Sequence, residues 1–159
     1  MGTAAAASVI EAPIDLCWSV MVETELYSQW NPFIVEIERP DDSPLQVGDA
    51  LILHVVWHTG GRVTSHERVH ALEPPSDHNG RKALLEYDYR GFIGSMGLIR
   101  GRRIQELSRI DDEVTAYNTR ERLHGPLAFA APMGRVRDGF DRHARAIKDR
   151  AEALHREPR

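Results

Sequence analysis

Two glutamates stand where a carboxylate could do acid–base work. Glu67 and Glu121 each fall in a stretch of alternating apolar and polar residues, in phase with the apolar ones. A carboxylate taken out of water is harder to ionise, which suits it to general acid or base catalysis near neutral pH. Its ordinary alternatives are an ion pair or a place at a solvated sheet rim, the latter fitting Glu67 best. His143 is the second such group. It lies one turn after Phe140 and one turn before Ile147 on an apolar stripe, and an imidazole can shuttle a proton. Its bland reading is a ring packed beside the stripe with one nitrogen in water. Tyr87 and Tyr89 are in phase with the apolar Leu85, alternating with Glu86 and Asp88, and could orient a ligand oxygen, or simply pack with satisfied hydroxyls. Trp57 reads as wall rather than catalyst.

The histidines invite a metal reading that spacing rejects. His54 and His58, and His66 and His70, are four apart. On a strand that step spans about 13 Å, too far to share an ion. A hairpin with a three-residue turn sets His54 opposite His66, but two ligands are too few for a dedicated site, so no functional metal is expected. Gly91, Gly94, Gly97 and Gly101 lack both the lysine of a phosphate-binding loop and the helix of a dinucleotide fingerprint. That glycine-rich loop is expected to gate a cavity mouth, and no cofactor is expected. The single cysteine, Cys17, excludes an internal disulfide and reads as core.

The periodicities define the elements that must position these groups. A short strand is expected over 8–11. Pro13 then starts a helix carrying Ile14, Cys17, Trp18 and Met21, and Thr24 caps a second that ends before Pro32. The period becomes two from Asn31, with Phe33, Val35 and Ile37 alternating against Ile34, Glu36 and Glu38. Strands follow over 51–58 and 62–72 around Thr59-Gly60-Gly61. The three-residue turn also pairs Val55 with Ser65, Trp57 with Val63 and Leu51 with Val69, so that apolar residues share a face. Leu85, Tyr87 and Tyr89 line one face of the next strand. Two longer strands, over 98–110 and 114–124, are split by Asp111-Asp112. The first of these is ambiguous in phase, and by periodicity alone Ile104 could face inward. The rest is an amphipathic helix over about 131–155 with Met133, Val136, Phe140, Ile147, Ala151 and Leu154 on its stripe, leaving 156–159 as a loose tail. Hairpin connections make the sheet antiparallel, and the helix needs one of its faces to pack on.

The 159 residues suit one domain, 1–155, with a core of its own. Hydrophobic residues make up 42% and charged residues 28%, spread along the chain, which excludes bulk disorder. Twenty basic against 24 acidic residues give a net charge of -4, which argues against a general nucleic-acid binder. No apolar run approaches the roughly 20 residues of a membrane span, and the start lacks a signal peptide's basic and apolar regions. A cytoplasmic protein is the default expectation, and a homodimer is among the assemblies open to such a domain.

The order of elements resembles the START-related helix-grip superfamily, or SRPBCC, in its polyketide cyclase/dehydrase-like branch. Trp30-Asn31-Pro32-Phe33 resembles that family's WNPF at a helix-to-strand junction. The segment 69–75, VHALEPP, resembles its strand-to-turn segment. The segment 121–125, ERLHG, resembles its E-x-F-x-G, with Leu123 in place of the Phe. Gly139-Phe140 with Ala146-Ile147-Lys148 and Ala151-Glu152 resembles its final helix. The resemblance implies an α+β fold in which a curved antiparallel sheet wraps a long C-terminal helix around an apolar cavity. It also turns Arg103, Gln105 and Leu107 inward. At 143 the family usually has an apolar residue.

Together these readings give an expected function: a polyketide-like or other aromatic or polycyclic molecule bound in the cavity by a cofactor-independent cyclase/dehydratase-type enzyme. Glu121 and His143 would move protons while Arg103 and Tyr87 orient oxygens. Leu53, Val55, Trp57, Glu67, Tyr89, Gln105, Tyr117, Met133 and Phe140 would contact the ligand. The alternatives are a carrier or sensor of lipids or other hydrophobic ligands, and a chaperone-activator-like partner protein. Polar groups converging on the cavity would favour catalysis, an all-apolar cavity carriage, and a collapsed cavity the partner role.

Overall fold

The computed structural model describes residues 2–91 and 96–157. Seven strands form one antiparallel sheet: β1 Gly2–Ile10, β2 Ile34–Glu38, β3 Ala50–Val56, β4 Arg62–Glu73, β5 Lys82–Tyr89, β6 Arg100–Arg109 and β7 Thr115–His124. Their order is β1-β7-β6-β5-β4-β3-β2, so β1 and β2 are the edges. Between β1 and β2 lie α1 (Ile14–Val22), a 3₁₀ turn (Thr24–Leu26) and α2 (Tyr27–Trp30), and α3 (Met133–Arg156) closes the chain.

Alternation sets the faces. Gly101, Arg103, Gln105 and Leu107 of β6 are buried, while Arg102, Ile104 and Glu106 face outward. The inward phase that the resemblance implied is the one adopted. α3 lays Phe140, His143, Ala144, Ile147 and Ala151 on the concave face. Burial of such a stripe, at about 25 cal/mol per Å² of apolar surface, is what holds a helix to a sheet. α3 packs most extensively along β1. There Lys148 Nζ donates to the Val9 carbonyl at 2.7 Å and Arg137 Nη2 to that of Thr3 at 3.4 Å. Gly139 allows a close approach on the other flank: a Cβ there would stand 2.1 Å from the Phe33 ring.

Several local expectations are corrected. β1 runs back to Gly2, because its Ala4-to-Ala7 run carries no visible alternation although Ala4 is buried and Ala5 exposed. Thr24 opens the 3₁₀ turn instead of capping it, and its buried Oγ1 has no partner among the described residues. In β2 a bulge between Ile34 and Glu36 moves the buried phase to Ile34 and Ile37. The β3–β4 hairpin pairs Val55 with Val63, Leu53 with Ser65 and Leu51 with Glu67. The loop is thus two residues longer than expected, an even shift that keeps every side chain on its predicted face. His54 therefore faces Thr64 and reaches Glu38, and His66 faces Ile52, so the predicted His54–His66 pair does not form. α3 continues to Arg156, one residue into the expected tail. The predicted gate falls partly on 92–95, outside the described residues.

Candidate functional site

The sheet and α3 part at one end. The space between them is a cavity of about 540 Å³, within the range of roughly 300–1,000 Å³ usual for small-molecule sites. Leu53, Val55 and Trp57 come from β3 and the residue after it, Glu67 from β4, Tyr87 and Tyr89 from β5, Arg103 from β6, Glu121 from β7 and Phe140 from α3. These nine predicted residues are brought together. A larger depression, about 950 Å³, lies on the convex face among Arg90, Arg100, Arg102, Arg120 and Arg122. It is open and polar, and three of its arginines already pair with Asp88 or Glu106. The concave cavity, apolar with a few converging polar groups, is the better site.

Its polar groups come from register. Tyr87 lies directly across from Arg103, and Arg103 across from Glu121, while Glu67 pairs with Tyr89 on the adjoining strands. Gly101 makes room for them, since a Cβ there would stand 2.4 Å from Leu123 and 3.2 Å from the Glu121 carboxyl. Burial drives the Glu67 carboxyl up to about 8, against an opposing hydrogen bond from Ser65, with the Glu121 charge adding to the rise. Glu67 lines the cavity while remaining partly exposed. Burial raises Glu121 too, and the Arg103 charge moderates the effect. Desolvation holds the Tyr87 phenol well above its ordinary value, so it stays protonated.

Arg103 is 5% exposed. Its Nε donates to Thr119 at 3.1 Å and its guanidinium lies 4.5 Å above the Phe140 ring. The ion pair with Glu121, an alternative to catalysis, is not made within 4 Å among the described residues. Arg103 Nη2 and the Tyr87 hydroxyl are buried without a partner among those residues.

The other predicted residues lie elsewhere. Gln105, Tyr117 and His143 sit behind the cavity, where the sheet and helix close. Tyr117 donates to Gln105 at 2.8 Å and stacks on the His143 ring, centroids 5.9 Å apart. His143 is fully buried, so neither of its nitrogens reaches water as the bland reading had it. Its tautomer follows from its neighbours. Asn31 Oδ1 accepts the N–H groups of Phe33 and Ile34, both at 3.0 Å, so the amide must turn its NH₂ to His143 Nδ1 at 2.8 Å. The proton therefore sits on Nε2, which has no partner among the described residues. Burial, with the Arg103 charge second, holds this imidazole well below its ordinary value, as a neutral ring. The Asn31 of the Trp30-Asn31-Pro32-Phe33 motif is thus a turn brace that fixes a buried histidine. Met133 packs over Gly2 at the start of β1 rather than into the cavity.

The walls also include residues not expected there from the sequence, among them Phe33, Ile99, Leu127, Ala130 and Val136. The signal for the Leu127 segment was an apolar run between Gly125-Pro126 and Pro132, longer than a turn needs. Its Phe129 is 82% exposed. Among the described residues no cluster of three or more His, Cys, Asp or Glu side chains could hold a metal ion. No helix among them is long and apolar enough to cross a membrane.

Neither a family model nor a curated protein matches the sequence. Solved structures do match. The ZhuI aromatase/cyclase of Streptomyces sp. R1128 is 17% identical, with TM-score 0.74 over 97% of this chain and 95% of that one. Norcoclaurine synthase of Thalictrum flavum, solved with a transition-state analogue, is 13% identical, with TM-score 0.64 over 96% and 94%. The protein Ara h 8.0201 is 14% identical, with TM-score 0.60 over 96% and 95%. At these identities the likeness speaks to architecture alone: the chain has the helix-grip fold.

Proposed function

We propose that this chain binds a hydrophobic small molecule, polyketide-like or otherwise aromatic or polycyclic, in the concave cavity and acts on it as a cofactor-independent cyclase/dehydratase-type enzyme. One observation carries the reading: two carboxyls of raised pKa, Glu67 and Glu121, enter one apolar cavity. Such a pair can divide the labour of removing water. Ionised Glu121 takes a proton from a carbon beside a carbonyl, and the electron pair forms the new double bond. Glu67, protonated at neutral pH, gives its proton to the departing hydroxyl, which leaves as water. Tyr87 and Arg103 orient the carbonyl oxygen. His143, walled off behind Tyr117, sets the floor. The aromatase/cyclase title of a fold neighbour supports this chemistry by analogy only.

The partner-protein reading needs a collapsed cavity, and about 540 Å³ is open. Carriage without chemistry is separated from catalysis by Glu121→Gln and Glu67→Gln. A folded variant of either kind is expected to lose about 10²–10⁴-fold in turnover on a β-hydroxyketone of aromatic or polycyclic skeleton. Unchanged turnover in both would leave carriage as the function.

A further inference from the structure

Buried guanidinium groups are paired or they are costly, because arginine keeps its charge at every accessible pH. Arg103 is buried and among the described residues has no carboxylate within 4 Å. One nitrogen bonds a neutral threonine, the plane rests on Phe140, and Nη2 has no acceptor among the described residues. Across the ladder Tyr87, 1% exposed, ends in a hydroxyl with the same deficit. Both side chains line the cavity. Two unmatched donors, one of them cationic, thus converge where the other walls are apolar.

We infer that Arg103 and Tyr87 form a subsite for an anionic oxygen, so that the ligand is an amphipathic acid: an aromatic or polycyclic body carrying a carboxylate or an acidic enol or phenol. The inference rests on the cavity being a ligand site. The apolar body lies against Trp57, Leu53 and Phe140, and the acidic group accepts from Arg103 Nη2 and the Tyr87 hydroxyl. Charge-assisted hydrogen bonds are about twice as strong as neutral ones, and a dry cavity strengthens them further. Competing negative charge on Glu67 is weak: burial raises that carboxyl to about 8, so at neutral pH it is largely protonated.

The experiment compares 2-naphthoate with its methyl ester, each displacing the neutral fluorescent probe N-phenyl-1-naphthylamine at pH 7. The two ligands share a ring system and differ in charge. The acid is expected to bind about tenfold or more tighter than the ester. Arg103→Met should erase that preference by weakening the acid far more than the ester, and Tyr87→Phe should reduce it by about 3–10-fold. If Arg103→Met fails to fold, Arg103→Lys keeps the charge without the planar fork and should retain only part of the preference. Equal or tighter binding of the ester by the wild type overturns the inference yet leaves the cavity a ligand site. Failure of the probe itself to bind overturns the cavity reading instead.

Discussion

The two ends of the space between sheet and α3 are built from the same elements and finished differently. At the closed end Tyr117, Gln105, Asn31 and His143 fill the volume, Tyr117 bonding Gln105 and Asn31 bonding His143, and Leu107, Ile147 and Ala151 complete a dry core. At the open end the helix contributes Val136 and Phe140 against Leu53, Val55 and Trp57 without closing the gap, and Arg103 Nη2 and the Tyr87 hydroxyl enter it without a partner among the described residues. The first arrangement spends its polar atoms on stability. The second turns two carboxyls, a phenol and one edge of a guanidinium toward open space, the pattern expected where function overrides packing.

The largest effect that would break this contrast is a difference in mutational cost. Ile147→Ala, a fully buried truncation at the closed end, is expected to lower unfolding free energy by about 2–5 kcal/mol. Leu127→Ala at the open rim should cost under about 1 kcal/mol. Equal losses in urea titrations would show that the open end is core as well.

The ends should also answer pH in opposite directions. Glu67 rises from 4.5 to about 8 in the fold. The folded state therefore prefers the protonated carboxyl, and its contribution is complete below about pH 4.5 and lost as pH climbs through 8. Raising pH from 5 to 9 should weaken the wild type by about 1–4 kcal/mol more than Glu67→Gln. His143 works the other way. Its pKa is depressed below 6.5, so the fold prefers the neutral ring, and stability is complete above 6.5 and falls on acidification. Between pH 6.5 and 5.5 the wild type should lose about 1 kcal/mol relative to His143→Gln, read from urea midpoints. Parallel pH profiles in either pair would remove the assigned environment.

The smallest effect sharpens the picture at the open end. Trp57→Ala should weaken binding of N-phenyl-1-naphthylamine by about 5–10-fold, because a large apolar contact is lost from the wall. Its melting temperature should move less than that of Ile147→Ala.

Much of this was legible before the structure. Alternation placed Leu53, Val55, Trp57, Glu67, Tyr87 and Glu121 on one face, and even a hairpin register wrong by two residues left those faces intact, because side chains alternate with period two. Periodicity could not settle β6, where charged and apolar residues mix, and there the family resemblance supplied the phase of Arg103. Depth was the quantity that the sequence did not carry. Tyr117, Gln105 and His143 share a face with the cavity residues, but whether such a residue meets open space or a packed neighbour depends on how far α3 stands from the sheet. That distance is set by contacts such as Phe33 against Gly139, far apart in the chain. Alanine in β1 hid its alternation for a simpler reason: one residue type serves both faces.

The lysine and arginine that α3 extends to the backbone of β1 have a consequence beyond docking the helix. An edge strand with free carbonyls is a template for another chain, and the Ala4-to-Ala7 run in this one offers little side-chain bulk to refuse it. Lys148 and Arg137 occupy two of those acceptors, at Val9 and Thr3, and present charge along the border. A population in which α3 has lifted away would thus present a bare edge to its neighbours. Its first symptom in a concentrated solution would be intermolecular sheet growth.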